Sequence, residues 1–496
     1  MYLVVFITSV YFPNLFSAVS SVKKNIFVFW YNNHFQKNLK FYLFSSLVLG
    51  LSLGFFQTSN AQHIARLRFE DDFSYLKSDT TRKSWDENLK YLPVFGQTTL
   101  SLGGEIREHY QNYTHANFGQ IPTSYVTENP HQWLHRLLIH SDLQVHPKFR
   151  LFAQINNTVR FLNPNPITSQ VEQNTFSFHQ WFAELKLKDQ WILRLGRQEL
   201  LFGQERFIAA REGPNNRQSF VGAHLIHKQK NIKTDLFYTH PVKLNLGAFD
   251  DELSTEKLAG IHVKYDRIVK ELNLDAYYYY FESYAREYYS SIGAENRHTL
   301  GLHAYSNPRR FNYDFEISKQ LGRFKTLAIQ SFMAVWDVNL AVKPHRYIGF
   351  SGNFVPGDQS SSDEYLNTFN TLFARPPFGQ TVALNISNTL NLSPYIRYQK
   401  GTQWLVTARA SFVQRTSTND GLYTPNMTQL RPYDPKKITS DAWKVCDIYA
   451  LDINYVPTKH YFFQAEIGYC QAGTYLKSTG SGENVIYFAI RNAIKF

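Results

Sequence analysis

From residue 99 to the C-terminus, apolar and polar residues alternate in bursts of roughly ten, separated by turn-forming residues. The bursts divide into eighteen segments: 99–113, 131–145, 149–162, 176–187, 191–200, 218–228, 232–240, 257–266, 271–282, 298–305, 311–320, 324–340, 346–354, 381–398, 402–414, 444–456, 461–470 and 484–496. A period of two puts successive side chains on opposite faces of a strand. No segment holds a helical period long enough to compete.

In the stretch from Tyr461 to Cys470, Tyr461, Phe463, Ala465, Ile467 and Tyr469 share one face, opposite Phe462, Gln464, Glu466 and Gly468. In Trp404 to Phe412, Trp404, Val406, Ala408, Ala410 and Phe412 oppose Thr407, Arg409 and Ser411. An arginine facing hydrocarbon at mid-depth costs roughly 2–4 kcal/mol. The charged face is therefore expected to line a wet interior.

The connections alternate as well. Short turns follow every second segment, as at 146–148, 188–190, 229–231, 399–401 and 457–460. Long connections follow most of the others, at 114–130, 163–175, 201–217, 241–256, 283–297, 355–380, 415–443 and 471–483, with a short exception at 321–323. An even strand count with short turns on one rim and long loops on the other predicts an all-β fold, a transmembrane antiparallel β-barrel of about 18 strands. Its short turns would be periplasmic and its long loops extracellular. A propeller would repeat similar blades every 40–50 residues or so, and no such repeat is present. The last segment alternates Phe488, Ile490, Asn492, Ile494 and Phe496 with Ala489, Arg491, Ala493 and Lys495. A terminal aromatic on an amphipathic strand is the signal expected for the barrel-assembly machinery, so Phe496 is assigned that role.

Upstream, Lys37 and Lys40 precede an apolar run from Phe41 to Phe56, and Ser59 and Ala61 fit the small-residue positions of a signal-peptidase site. Residues 1–61 are read as a signal peptide, with 1–36 as an upstream extension beyond the true start. Residues 62–98 are polar and charged and read as a periplasmic arm, and 99–496 as the barrel.

Composition agrees with this division. Aromatic residues make up 16% of the chain, with 32 Tyr and 40 Phe, yet hydrophobic residues reach only 43%. That suits strands that face lipid on one side and water on the other. The formal charge of +12 falls to +8 once the four lysines of residues 1–61 are set aside. The remaining excess is spread along the chain, which argues against nucleic-acid binding. No Cys/His spacing suggests a metal, no cofactor motif appears, and no GxSxG or other nucleophile set suggests an enzyme. Histidines 109, 115, 131, 135 and 140 fit no ligand set, and Asp358, Asp363 and Glu364 are too loosely spaced for a calcium loop. The run Tyr277 to Phe281 reads as an interfacial girdle, with a sugar-stacking platform as the alternative. The turn at 457–460 would bring Cys446 and Cys470 onto the same or adjacent rungs of one face, within disulfide range.

One segment is not explained by a simple strand-turn-strand pattern. In WILRLGRQELLFGQERFIAAREGPNNRQSF (residues 191–220), a strand leads into a turn-rich segment crowded with charge. The longer stretch LRLGRQELLFGQERFIAAREGPNNRQSFVGAHL resembles the signature of the alginate-export outer-membrane family, which carries a GRQEL…G…R…REGPN-R-SF run. EDD at 70–72, LKYLPVF before LGGEIRE, TFNTLF at 368–373 and DGLY at 420–423 extend the resemblance over roughly residues 66–496. The resemblance implies an eighteen-stranded barrel whose arginine-lined constriction passes an anionic polysaccharide. It makes Arg194, Arg197, Arg206, Arg211 and Arg217 pore-lining candidates, with Glu199, Glu205 and Glu212 interleaved, and inward parity on its strand adds Arg409. Those glutamates leave open whether the arginines meet a solute or pin an infolded loop.

The expected function is a passive, charge-selective channel for an anionic saccharide or related polar solute. It would work as a monomer in the outer membrane of a Gram-negative bacterium, surrounded by outer-membrane lipid. A general porin or nutrient-uptake channel is the alternative, and a barrel-anchored receptor or adhesin a further one. N-terminal sequencing of the mature protein is expected to begin at Gln62; a start well upstream would make the apolar run an anchor.

Overall fold

The computed structural model describes residues 64–78, 81–82, 84–120, 130–161, 170–288, 291–360, 362–431 and 440–496. The leader expected over 1–61 lies outside them. Eighteen strands form the frame: β1 (Thr98–Thr114), β2 (His131–His146), β3 (Phe149–Phe161), β4 (Asn174–Lys188), β5 (Trp191–Gln198) and β6 (Phe220–Gln229). They continue as β7 (Ile232–Lys243), β8 (Lys257–Val269), β9 (Leu272–Tyr288), β10 (Ser291–Ser306), β11 (Phe311–Phe324) and β12 (Leu327–Lys343). The last six are β13 (Arg346–Val355), β14 (Thr389–Lys400), β15 (Trp404–Arg415), β16 (Lys444–Thr458), β17 (Tyr461–Ala472) and β18 (Val485–Lys495). Neighbours in sequence pair antiparallel throughout. The last strand pairs with the first, from Glu105↔Lys495 to Thr114↔Ile486, and closes the barrel. Closure satisfies every strand edge, which a sheet in lipid requires.

The period-two reading of the faces holds. In β17, Ile467 and Tyr469 are exposed outward while Glu466, Gly468 and Cys470 are buried inside. In β15, Phe412 points out while Ser411, Val413 and Arg415 are buried.

Two stretches differ from expectation. The loop expected at 283–297 is mostly strand: β9 runs to Tyr288 and β10 starts at Ser291, so two residues separate them. Polar residues there suggested a loop, but Ser283, Glu295 and Arg297 face inward and are buried, as a polar lumen allows. Conversely, 381–388 alternates like a strand but belongs to a loop. Its Val382, Leu384 and Ile386 pack inside the barrel instead of against lipid. The short turn expected at 321–323 falls at 325–326.

The tyrosine run divides by parity. Tyr277, Tyr279 and Phe281 point inward and are buried, whereas Tyr278 and Tyr280 lie on the outer face. Cys446 is opposite Ala472 and Cys470 opposite Ile448, so the two are diagonal neighbours, both buried and both free thiols. The offset arises because β16 and β17 turn through two residues, with Thr458 facing Tyr461, and a bulge between Tyr455 and Thr458 then shifts the register by one. Asp358 is buried and accepts a hydrogen bond from the Asn367 amide at 2.8 Å, whereas Asp363 and Glu364 are exposed.

The arm before β1 packs into the short-turn end of the barrel. Arg68 donates to the carbonyls of Gly104 and Phe496, both at 2.7 Å, and pairs with Asp71 at 2.9 Å. Gly104 and Phe496 exchange backbone hydrogen bonds of 2.8 and 3.0 Å, and a Cβ at Gly104 would sit 2.7 Å from Phe496 Cζ. Phe69 stands edge-on to Phe182 at 5.4 Å, beneath the Arg194 guanidinium at 4.1 Å. Residues 92–95 then pair back onto β1, with Leu92 opposite Leu100. The arm thus clamps the seam between first and last strands from inside.

Arg68→Ala removes that clamp and leaves Asp71 without its partner, a loss of about 3 kcal/mol. The heat-denaturation midpoint of the folded barrel is expected to fall; an unchanged midpoint would show that the seam closes without the arm.

Candidate solute pathway

The segment between β5 and β6 leaves the wall and enters the lumen. Gly203, with φ +52°, and the Gly213-Pro214 pair supply the turns. The apolar residues between them supply the drive. Leu200, Phe202, Phe207 and Ile208 are buried against inward-facing Phe237, Tyr277, Tyr279 and Phe281. Phe202 stacks on Phe237 at 5.2 Å and on His262 at 5.1 Å. The tyrosines on the inner face are therefore floor for this loop, not a free platform for sugars.

A second loop, 356–388, meets the first. Phe373 N–H donates to Phe207 O at 2.8 Å and Arg375 N–H to Glu205 O at 3.1 Å, while Ile208 and Phe373 form a parallel bridge.

Most of the charged candidates in the first loop and at its strand ends are engaged with one another or with the wall. Arg206 reaches across to β11 and pairs with Asp314 at 2.8 Å and Glu316 at 2.5 Å. Arg217 pairs with Glu199 at 2.9 Å and Glu212 at 3.4 Å. Arg194 pairs with Glu184 at 2.6 Å and Arg197 with Asp251 at 2.9 Å. Glu199 also accepts from His179 at 2.7 Å. Glu205 receives both terminal nitrogens of Arg66 from the arm. Glu212 meets Arg136 of β2 and lies 3.5 Å from Arg107 of β1. Arg107 further donates to Glu212 O at 2.7 Å and Pro214 O at 2.8 Å. Desolvation pushes the Glu212 carboxyl up, but Arg136, Arg217 and Arg107 outweigh it and hold it well below the usual carboxylate range. Among the described residues Arg211 meets no carboxylate; it donates to Ala374 O at 3.1 Å and Asn426 Oδ1 at 2.6 Å.

Arg409 is in a different setting. It and Arg397 lie over the Tyr395 ring, at 5.1 and 4.8 Å, and Tyr395 donates to Asp337 at 2.6 Å. Among the described residues, no carboxylate is within 4 Å of Arg375, Arg397 or Arg409. Arg375 is exposed at the tip of the second loop. Desolvation lowers its pKa, Glu205 opposes, and Arg206, Arg66 and Arg409 lower it further, so these cations share one region. Asp452 and Arg491 face the same space from β16 and β18. Inward positions toward the long-loop rim, such as Val413, Cys446 and Tyr487, are fully covered by loops, while Arg397, Arg409 and Asp452 remain accessible. Beneath the arm lies a cavity of about 550 Å³, lined among others by Asp71, Asp142, Arg150, Glu184, Arg194 and Lys233.

Sequence reasoning thus found the loop and Arg409 but missed Arg66, Arg107, Arg136, Arg375, Arg397 and Arg491. Inward parity on β1, β2, β14 and β18 is the signal that would have flagged four of these. Arg66 and Arg375 sit in irregular segments that carry no such signal.

The alginate export family profile matches residues 98–484. The chain belongs to that family. No curated protein matches the chain. Among solved structures it is similar to OccK9 (OpdG) of Pseudomonas aeruginosa, with 10% identity, TM-score 0.55, and 80% of this chain and 98% of that one covered. OccK8 (OprE) of the same organism matches at 11% identity and TM-score 0.54, with the same coverage of each chain. OpdK, solved with vanillate, matches at 9% identity and TM-score 0.54, again with 80% and 98% covered. At such identities the likeness concerns the fold, an outer-membrane barrel. The short turns of this alginate export family member are accordingly periplasmic and its long loops extracellular.

Arg206→Ala leaves Asp314 and Glu316 without their guanidinium. Ion selectivity in a planar bilayer is expected to move toward cations and thermal stability to fall, whereas Arg211→Ala, which removes one positive charge but frees no carboxylate, should shift selectivity less and leave stability unchanged. Equal effects of the two would refute the pairing as the cause. Because the Glu212 pKa is depressed, its stabilisation is present above the ordinary carboxylate range and is lost only as pH falls through the depressed value. Loop-dependent conductance should therefore stay constant from pH 8 to pH 5.

Proposed function

We propose that the protein is a passive channel that carries an anionic polysaccharide, or a related polar anion, across the outer membrane. The observation that carries this reading is the contrast between two sets of arginines. Arg194, Arg197, Arg206 and Arg217 are bound by carboxylates and hold the constricting loop in place. Arg375, Arg397 and Arg409 face accessible lumen with no carboxylate in ion-pair distance among the described residues, and offer their charge to a passing anion. Focusing of field lines inside a low-dielectric wall raises the local concentration of such an anion. Asp337 and Asp452 on the same wall keep the path from being a uniformly positive sink, which favours transit over tight binding. This reading involves no bond-making step.

Those same acids support a second reading, a general porin for small polar solutes of either sign. The two differ in what blocks the pore. In planar bilayers, an acidic oligosaccharide is expected to reduce ion current at concentrations where a neutral one of equal length does not. Arg397→Ala with Arg409→Ala should lower anion preference several-fold. No measurable current would overturn both readings, and equal block by both sugars would leave only the general porin. Deleting residues 64–78 should raise conductance, since the arm occupies the periplasmic mouth.

A further inference from the structure

The outer wall of strands β9 to β12 differs from the rest of the barrel at its extracellular end. Both hairpins there turn within two residues, β9 to β10 and β11 to β12, while long loops join most other pairs. The β11–β12 turn follows directly after Phe324, while β9 and β10 continue beyond that level to Tyr288 and Ser291, with Ala294 and Ile292 on their outer face. On β11, Phe315 and Ile317 are exposed on the outer face, followed at the same parity by Lys319, Leu321 and Arg323. Ser318 and Gln320, which flank Lys319, are buried inside, so Lys319 points outward. Phe324 is likewise buried inside, which sets Arg323 on the outer face.

The register places these cations against a boundary. Lys319 lies opposite Leu300 and Phe332, the last apolar positions on their strands before polar ones begin. Beyond them, toward the rim, the outer face carries His298 and Asn296 on β10, Arg323 on β11 and Gln330 on β12. His298 is held by Tyr278 Oη at 2.7 Å and stacks beside Tyr280 at 5.1 Å. Aromatic residues adjoining polar ones mark the level where hydrocarbon gives way to headgroups. Lys325 stands above, exposed, and donates to Ser291 Oγ at 2.8 Å.

Among the described residues, no carboxylate lies within ion-pair distance of Lys319 or Arg323; the nearby Glu282 is taken up by Lys257 at 2.7 Å. The second loop reaches this face at residues 364–366, which pair with β12 at Ala328 and Ile329 but bring no carboxylate into ion-pair distance of either cation among the described residues, so the phosphates of the outer leaflet are left to meet them. Lys319 and Arg323 are four residues apart on one face, about 13 Å at the usual strand rise. A headgroup bearing two separated phosphates can therefore meet both. We propose that this arc binds a phosphorylated glycolipid of the outer leaflet, with Lys319 and Arg323 each holding a phosphate. His298, Asn296 and Gln330 are placed to hydrogen-bond its sugars. This surface lies outside the barrel and is independent of which solute crosses it.

The test uses the full-length protein in detergent, titrated with bisphosphorylated lipid A and read by native mass spectrometry. Wild-type protein should retain the lipid, and Lys319→Gln with Arg323→Gln should weaken retention roughly tenfold. Both side chains point away from the core, so the heat-denaturation midpoint in detergent should not change. The charge-conserving pair K319R and R323K should bind as wild type does. Dephosphorylated lipid A should bind wild type no better than the glutamine variant binds the phosphorylated form. Equal retention by wild type and the glutamine variant would overturn the proposal. Equal retention of phosphatidylglycerol would overturn the glycolipid as its occupant.

Discussion

An ion taken out of bulk water must find its opposite, and in this barrel that requirement organises the interior. Guanidinium groups at Arg107 and Arg136 are fully buried on β1 and β2. Left unpaired, each would carry a desolvation cost of several kcal/mol. They are compensated by Glu105 on the wall and by Glu212, which the infolded loop delivers to them. The wall needs the loop more than the loop needs the wall, since both guanidinium groups are fully buried while Glu212 keeps 30% of its side chain accessible. Apolar packing of Phe202, Phe207 and Ile208 brings the loop inside, and the charge pairs decide where it stops.

The same logic extends to the arm. Arg66 closes on Glu205, and Arg217 donates to the Arg66 carbonyl at 3.2 Å, so arm and loop share a charge network. Arg68 ties the arm to the seam.

Strands were legible in the sequence because the pleat imposes a period of two whatever the residue types. The exceptions follow from that rule. At 291–297 the inner face carries polar residues, so alternation in hydrophobicity was weak while alternation in burial persisted, and on β9 a bulge between Ser283 and Arg286 broke the period itself. At 381–388 alternation was real, but its apolar face packs against other loops inside the lumen. The pairing of the arginines was not legible. Arg206 lies 110 residues from Glu316 and Arg66 lies 139 from Glu205. A single sequence reports which residues are charged and which face of a strand they occupy, and contains no term for contacts between distant loops.

That gap bears on how the family signature is to be read. Its conspicuous arginines invite a role in meeting the solute, yet four of them are satisfied within the protein. A guanidinium already bound by a carboxylate contributes little net field to a passing anion, because the pair appears from a few ångströms away as a dipole. Charge without an internal partner acts at longer range. In this barrel such charge sits chiefly at Arg375, Arg397 and Arg409, on a loop tip and on strands outside the signature, with Arg211 the signature's own share. On the function proposed above, the signature chiefly shapes the constriction, and the strands opposite it supply most of the charge that would meet an anion.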